Sequence, residues 1–315
     1  MTAPRLNNNK IIFVTFNRLG YLCLETIARS GVFNIKQAYT LKPELTGKIS
    51  DYKDIELLCK KFEFPVKRIK NINNETDEIK KINPDIIFII GWSQIINEEL
   101  IKIPKIGCVG FHPALLPKNR GRAAIPWHFI NEEKYGGATL FFIDEGCDSG
   151  DIIAQKRFVL TDKDNAKSYY EKIEEVAVKM LKSCARDLVR DKIKRRRQDH
   201  RRATCLFLRN ADDSFLDFQK LNTRQIFNQV RAVAGIYPAA FADYEKNRVE
   251  SLAAMIVPKK FYIYSAAPGQ IIKVLPDGIW VKTIDGIIEL SKLSSDGAAI
   301  NDCPRFFKSG HYLNR

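Results

Sequence analysis

Two short segments of this chain, Lys10 to Phe16 (KIIFVTF) and Asp85 to Gly91 (DIIFIIG), carry apolar residues at consecutive positions with no polar alternation. Successive side chains on a strand point to opposite faces, so a strand with one wet face must alternate. Strands that do not alternate are buried on both faces, the mark of parallel sheets covered by helices. A membrane span needs about 20 apolar residues, and the longest aliphatic-aromatic run in the middle of the chain is only Ile86 to Ile90. Leu19 to Ser30 places Leu22, Thr26 and Ile27 at helical spacing and stops before Gly31, a C-cap residue. Phe33 to Thr40 reads as a strand, Tyr52 to Phe64 as an amphipathic helix, Val66 to Ile69 as a short strand and Glu75 to Ile82 as a helix stopped by Pro84. Ile106 to Phe111 and Ala138 to Ile143 continue the strands. Strands alternating with helices build βαβ units, so the expected fold is α/β, a Rossmann-like parallel sheet with helices on both faces.

At 315 residues, two domains are expected. Asp162 to about Lys194 has the pattern of one long helix, and a basic run, Lys192 to Arg202, follows it. The boundary is placed there, giving a first domain of residues 1–195 and a second of 196–315. In the second, Thr223 to Ala234 is a short helix and Gly235 to Phe241 is rich in turn residues. Phe261 to Tyr264, Gly269 to Leu275, Ile279 to Thr283 and Gly286 to Leu290 are β-like, with turn signals at Pro276-Asp277-Gly278 and Asp285-Gly286. A small β-rich domain resembling an open barrel is expected.

Apolar residues make up 45% and charged residues 28%, which excludes a disordered chain, a collagen-like repeat and a coiled coil. Met1 to Asn9 lacks the apolar core of a secretory signal, and the seven cysteines form no CxxC pair, so free thiols in the cytoplasm are expected. Basic residues outnumber acidic ones 51 to 37, a net charge of +14. The run Lys192 to Arg202 holds seven basic residues and one acidic, so it accounts for +6. Such a coat points to anionic partners: nucleic acid, a phosphorylated metabolite or a nucleotide sugar. The run itself reads as a solvated helix end and linker, with a phosphate or tRNA contact as the alternative.

Open α/β sheets bind ligands outside the carboxyl ends of their strands, and three strand ends here carry polar or glycine-rich sequence. The first, Phe16-Asn17-Arg18-Leu19-Gly20, lacks a dinucleotide GxGxxG fingerprint, yet an Asn-Arg pair at a helix N-terminus can hold an anion or serve simply as a cap. The second runs from Gly107 to Arg122 and locks His112 between Phe111 and Pro113, ahead of a rigid loop with prolines, arginines and a glycine. The third, Phe141 to Asp151, crowds Asp144, Glu145, Asp148 and Asp151 around Gly146 and Gly150. Its spacing fits a calcium loop poorly, so no metal is expected. A carboxylate from this exit set against His112 would orient the imidazole ring, although Asp148 or Asp151 could also merely cap a turn.

At these residues the chain resembles the folate-dependent formyltransferases, a family that includes glycinamide ribonucleotide transformylase, methionyl-tRNA formyltransferase and the sugar-nucleotide N-formyltransferases. His112-Pro-Ala-Leu-Leu-Pro-Lys-Asn-Arg-Gly121 is similar to the family's HPSLLPKYRG, and Asp148-Ser-Gly-Asp151 to its DTGD. Gly137-Ala-Thr139 resembles its TGVT strand start. Arg231-Ala and Tyr237-Pro-Ala-Ala-Phe241 look more weakly like the RA…PYPGAF segment of its C-terminal domains. The resemblance implies a formyltransferase catalytic domain with N10-formyltetrahydrofolate as cofactor. The family's catalytic set is an Asn, a His two residues later, and an Asp. His112 and Asp148 fall on the second and third positions, and the first falls on Gly110. Three readings compete for the missing amide: Asn119 supplies it, a backbone N–H or water replaces it, or the protein is a weakened, non-catalytic folate- or nucleotide-binding relative.

The implied reaction is an acyl transfer in which a neutral amine attacks the formyl carbon, and each donor to the developing oxyanion is worth roughly 3–4 kcal/mol. His112 would be one donor, stabilised by Asp148, which would also relay the amine proton. By the same resemblance, the folate would lie against Gly91, Trp92, Ser93, Gln94 and Ile95, against Leu115, Leu116 and Pro117, and against the loop of Asp144 and Gly146. Asn17, Arg18, Arg120, Tyr237 and Phe241 are the expected acceptor contacts. Arg120-Gly121-Arg122 followed by Trp127, the bulky Thr139-Leu-Phe-Phe142 and Tyr237 to Phe241 look more like the sugar-nucleotide members. These imply a dTDP- or UDP-linked amino sugar as acceptor, a place in surface polysaccharide (lipopolysaccharide) synthesis, and a homodimer. The net charge, the basic run and the β-rich domain suit methionyl-tRNA, the runner-up.

Overall fold

The structure is a computed structural model that describes residues 9–47, 49, 51–261 and 265–314. The chain divides into two compact units. The first takes the described part of Met1–Ala124, with Gly136–Phe158 and Glu171–Leu206; the second takes Ile125–Tyr135, Val159–Tyr170 and Phe207 onward.

The first unit is built on β1 (Lys10–Val14), β2 (Asn34–Leu41), β3 (Val66–Ile69), β4 (Ile86–Ile89) and β5 (Gly107–His112). A short β6 (Arg120–Gly121) follows, then β7 (Tyr135–Phe142) and β8 (Ile152–Val159). The main sheet runs β3-β2-β1-β4-β5-β7-β8. The Rossmann-like order predicted from the apolar runs is there: β1, β2, β3, β4 and β5 pair in parallel, with the chain reversing direction across the sheet between β1 and β4. β7 differs from the expectation, because it meets β5 antiparallel and makes the sheet mixed. Both faces are dry, as the unalternating sequences require. Ile12, Val14, Ile87 and Ile89 join Tyr39, Ile79 and Leu100 in one cluster, while Phe13 and Phe88 stack at 5.8 Å on the other face.

The helices are α1 (Arg18–Ser30), α2 (Glu56–Lys61), α3 (Thr76–Ile82), α4 (Glu98–Ile101), α5 (Ala124–Ile130) and α6 (Ala166–Val189). α1 starts at an Asn17 cap and ends at Gly31 with φ 62°, as its sequence predicts. The helix expected over Tyr52 to Phe64 contracts to α2. Tyr52 forms a β-bridge with Asn17 and Asp54 accepts the Glu56 N–H at 2.7 Å, so the preceding residues anchor a loop. The basic run is solvated as expected, with its seven cations exposed, but it is not the end of the helix. α6 stops at Val189, and Arg196 exchanges two backbone hydrogen bonds with Ile152, of 2.8 and 3.0 Å. A short β9 (Cys205–Leu206) then pairs with β6 in parallel.

The second unit holds α7 (Thr223–Val233), β10 (Ala240–Tyr244), β11 (Asn247–Ile256), β12 (Ile271–Leu275), β13 (Gly278–Lys282), β14 (Ile287–Ser295), β15 (Ala298–Ala299) and α8 (Cys303–Phe306). Its antiparallel sheet runs β10-β11-β14-β13-β12, with β15 paired to β14. β11, absent from the sequence reading, forms the longest pairing, with β14. Of the expected strand Phe261 to Tyr264, Phe261 closes a 3₁₀ turn and residues 262–264 lie outside the described residues. The barrel-like expectation has a specific basis. Leu313 bridges to Tyr244 at the end of β10, and Tyr312 bridges to Gln270 just before β12. One segment therefore stitches the two outer strands of the sheet together. No helix among the described residues is long and apolar enough to cross a membrane.

Gly269 sits in this seam with φ 84°, and a Cβ there would lie 2.9 Å from the Leu313 carbonyl oxygen. A left-handed backbone costs a non-glycine residue about 1–2 kcal/mol. Gly269→Ala should therefore lower the urea unfolding midpoint by at least that equivalent, without changing the strand content seen by circular dichroism.

Candidate active site

His112 is the last residue of β5, opposite Thr139 of β7, and it is buried. After it the chain turns through a cis Leu116-Pro117 bond and reaches Asn119, whose φ is 59°. That left-handed residue carries its carbonyl back to the imidazole, where His112 Nε2 lies 2.6 Å from Asn119 O. A carbonyl can only accept, so Nε2 carries the proton and donates. The other ring nitrogen, Nδ1, lies 3.4 Å from Asp148 Oδ2. Asp148 is also left-handed, with φ 48°, and its Oδ2 accepts the Gly121 N–H at 2.8 Å. Asn and Asp tolerate this backbone region better than other side chains. With Nε2 fixed as donor, Nδ1 is the ring nitrogen that faces the Asp148 carboxylate.

The structure thus brings His112, Asn119 and Asp148 together, but Asn119 meets the ring through its backbone. Its side chain turns to Thr204, whose hydroxyl lies 3.4 Å from Asn119 Oδ1 and 2.8 Å from the Asn119 N–H. Gly91 and Asn17, at the exits of β4 and β1, are in contact: a Cβ on Gly91 would lie 1.8 Å from Asn17 Oδ1. Trp92 packs on Phe16 at 5.3 Å, and its indole N–H is buried without a partner. Ser93 O lies 3.4 Å from the Arg122 guanidinium. Gln94 clamps the neighbouring loop through Ile72 N and Lys70 O, which leaves Ile95 83% exposed. Leu115 packs on Gly137, and Pro117 is partly exposed, whereas Leu116 is buried against Phe141 and Ile152. Asp144 Oδ1 accepts from Gly146 N at 3.2 Å and Ser149 Oγ at 2.6 Å, which folds their loop.

Of the expected acceptor contacts, Asn17 caps α1 and donates to Asp51 at 2.9 Å. Arg18 pairs with Glu174 at 3.0 Å, and burial holds the Glu174 carboxyl above its ordinary range despite that arginine. Arg120 is buried, with its guanidinium turned to Gln198 Oε1 at 2.7 Å and His200 Nδ1 at 3.2 Å. Tyr237 and Phe241 belong to the second unit, where Phe241 is buried under Arg248, whose guanidinium lies 3.5 Å from the ring centroid. The sequence reading missed Gln198, Thr204 and the Gly121 N–H. Gln198 had a faint signal as the one amide side chain in the basic run.

Residues 23–184 match the model of the formyl transferase family, and residues 209–310 that of the formyl transferase C-terminal domain. A methionyl-tRNA formyltransferase from Clostridioides difficile is 31% identical over 288 residues, covering 90% of this chain and 91% of the relative. The chain belongs to the formyl transferase family. Among solved structures, the N-formyltransferase from Helicobacter canadensis, in complex with folinic acid and dTDP-3-aminofucose, aligns with a TM-score of 0.70 at 18% identity, over 91% of this chain and all of that one. HypX from Aquifex aeolicus with tetrahydrofolic acid aligns with a TM-score of 0.65 at 16% identity over 98% of this chain. The chain spans about half the length of that HypX.

Gly110, the position where the resemblance expects an Asn, is packed. A Cβ on Gly110 would lie 2.9 Å from Ile143 Cγ1 and 3.1 Å from the Phe141 ring edge. The space an amide side chain would take is filled with hydrocarbon.

His112→Asn keeps the fold and removes the Nδ1 proton site, so turnover should fall about 10²–10⁴-fold in single-turnover kinetics. Because Asn119 acts through its carbonyl and a left-handed backbone, Asn119→Gly should keep turnover within a few fold. Asn119→Ala should lose about 1–2 kcal/mol of stability in urea denaturation.

Proposed function

We propose that the protein transfers a formyl group from N10-formyltetrahydrofolate to the amine of a nucleotide-linked amino sugar. The observation that carries the transfer is His112, held by Asn119 O at 2.6 Å and faced by Asp148 at 3.4 Å. Nδ1 donates to the oxygen of the carbonyl under attack, and Asp148 compensates the ring's charge and accepts the proton the amine loses; as the new N–C bond forms and the donor's N–C bond breaks, that proton passes to the departing nitrogen. Burial of His112 keeps water from competing for that proton.

The residues fit the folate. Trp92 offers a buried indole N–H with no partner, which a heteroaromatic acceptor can take. Gly91 to Ile95, Leu115 and Pro117 would hold it, with the loop of Asp144 and Gly146. When bound, it supplies the activated one-carbon unit. The catalytic work is assigned to the first unit, which reaches Leu206 and so runs past the boundary expected at residue 195, while residues 125–135 and 159–170 belong to the second unit.

The sugar acceptor is supported by what the basic run does in the fold. Arg195 stacks on Phe142 at 4.0 Å and donates to Ile106 O at 3.0 Å. Arg196 donates to Gln155 at 3.0 Å, and Arg201 pairs with Asp199 at 3.0 Å. Three of its seven cations are engaged by the protein itself. Methionyl-tRNA is the second reading, favoured by the activity named for the C. difficile relative.

Incubation with the formyl donor and a panel of dTDP- and UDP-amino sugars, alongside methionyl-tRNA, decides between them. Formylated sugar is the expected product, and formylated methionyl-tRNA alone would overturn the sugar reading. The exposed Lys192, Lys194 and Arg197 give a further check. Replacing all three by Ala should leave sugar formylation within about twofold at any salt concentration, whereas a polyanion acceptor loses affinity steeply as salt rises.

A further inference from the structure

Inside the basic run one side chain is buried: Gln198 is 6% exposed, although Arg197 and Asp199 on either side face solvent. Its amide is fully committed. Nε2 donates to Asp148 O at 2.9 Å and to Gly150 O at 2.7 Å. Oε1 accepts from the buried guanidinium of Arg120 at 2.7 Å. The orientation is unambiguous, since two carbonyls demand the NH₂ and a guanidinium demands the oxygen.

The two ends of this bridge are the two walls of the site. Arg120 lies between Asn119, whose carbonyl holds His112 Nε2, and Gly121, whose N–H holds Asp148 Oδ2. The other end grips Asp148 itself and Gly150, two residues on. A left-handed residue such as Asp148, at φ 48°, persists where the structure around it holds it. Gln198 holds the Asp148 carbonyl.

We propose that Gln198 is a positioning residue for the reaction, fixing the Asp148 backbone so that its carboxylate faces His112, with Arg120 as the group that orients the Gln198 amide. The inference deepens the reading above and rests on the proton-handling role given there to Asp148.

Two variants of the full chain test it. Gln198→Met keeps the side chain's length and removes every hydrogen bond. Gln198→Glu keeps the Arg120 contact and replaces the donor with an oxygen that repels both carbonyls. The first readout needs no substrate: amide hydrogen exchange at Gly121, whose N–H is protected by Asp148 Oδ2, against exchange at Val14 and Phe88 in the sheet. Both variants should speed Gly121 exchange by about tenfold, the equivalent of one lost hydrogen bond, and leave Val14 and Phe88 unchanged. The second is kinetics with the acceptor identified by the panel: kcat should fall about 10–100-fold, as for a misplaced catalytic group, with KM for the formyl donor within about threefold. Unchanged Gly121 exchange overturns the proposal, as does equal acceleration at Val14 and Phe88, which would mark a merely structural residue. Lost Gly121 protection with unchanged kcat overturns it too. If Gln198→Met does not fold, Gln198→Glu decides. Wild-type protein inactive on every acceptor defeats the transfer reading alone, and Gly121 exchange still decides whether Gln198 holds Asp148.

Discussion

The hydrogen bond from His112 Nε2 to the Asn119 carbonyl, 2.6 Å long, fixes which ring nitrogen of this buried imidazole carries the proton. A hydroxyl partner, which can donate or accept, would leave the ring's tautomer open. A carbonyl does not, because it has no proton to give. Everything the ring can do for a reaction is thereby confined to Nδ1, on the side where Asp148 waits. The cost is backbone geometry. To turn its carbonyl inward, residue 119 must adopt a conformation that few side chains accept, and the same demand recurs at residue 148. Those requirements explain why an Asn and an Asp stand there more economically than any direct contact with a ligand would.

The second support of the site is that its two walls come from distant stretches of chain and meet through polar cross-links as well as through the packing of Leu116 on Phe141 and Ile152. The Asn119 segment is tied to Thr204, and the Asp148 loop to Gln198. Both partners lie downstream of α6, Gln198 within the basic run and Thr204 just after it, although the cations of that run face solvent. That stretch closes the site from behind: β9 pairs with β6, and Arg196 pairs with Ile152 at the start of β8.

Much of this was legible in the sequence, for identifiable physical reasons. The unalternating runs at Lys10 and Asp85 allowed only a sheet covered on both faces, and the parallel order followed. His112 and Asp148 could be singled out because strand ends rich in glycine and charge are where such sheets bind ligands. What failed was of two kinds. Short-range competition was invisible: the helical periodicity of Tyr52 to Phe64 was real, but Asp54 and Tyr52 had better local partners. Long-range satisfaction was invisible as well. Nothing local distinguishes a glutamine that fills a buried gap 50 residues from its partner from one that faces water. The amide expected of Asn119 has the same origin, since residue type fixes what a group can do and only the fold fixes which of its groups is presented.

The packing at Gly110 carries a consequence for how such a site can change over generations. Phe141 and Ile143 already occupy the volume that an amide would need. An asparagine codon arriving first would meet a collision, while a smaller residue arriving first at position 141 or 143 would open a void beneath β5. Neither order is smooth. An amide at position 110 is therefore excluded by hydrocarbon, and introducing one would take a coordinated exchange at three positions instead of a single substitution.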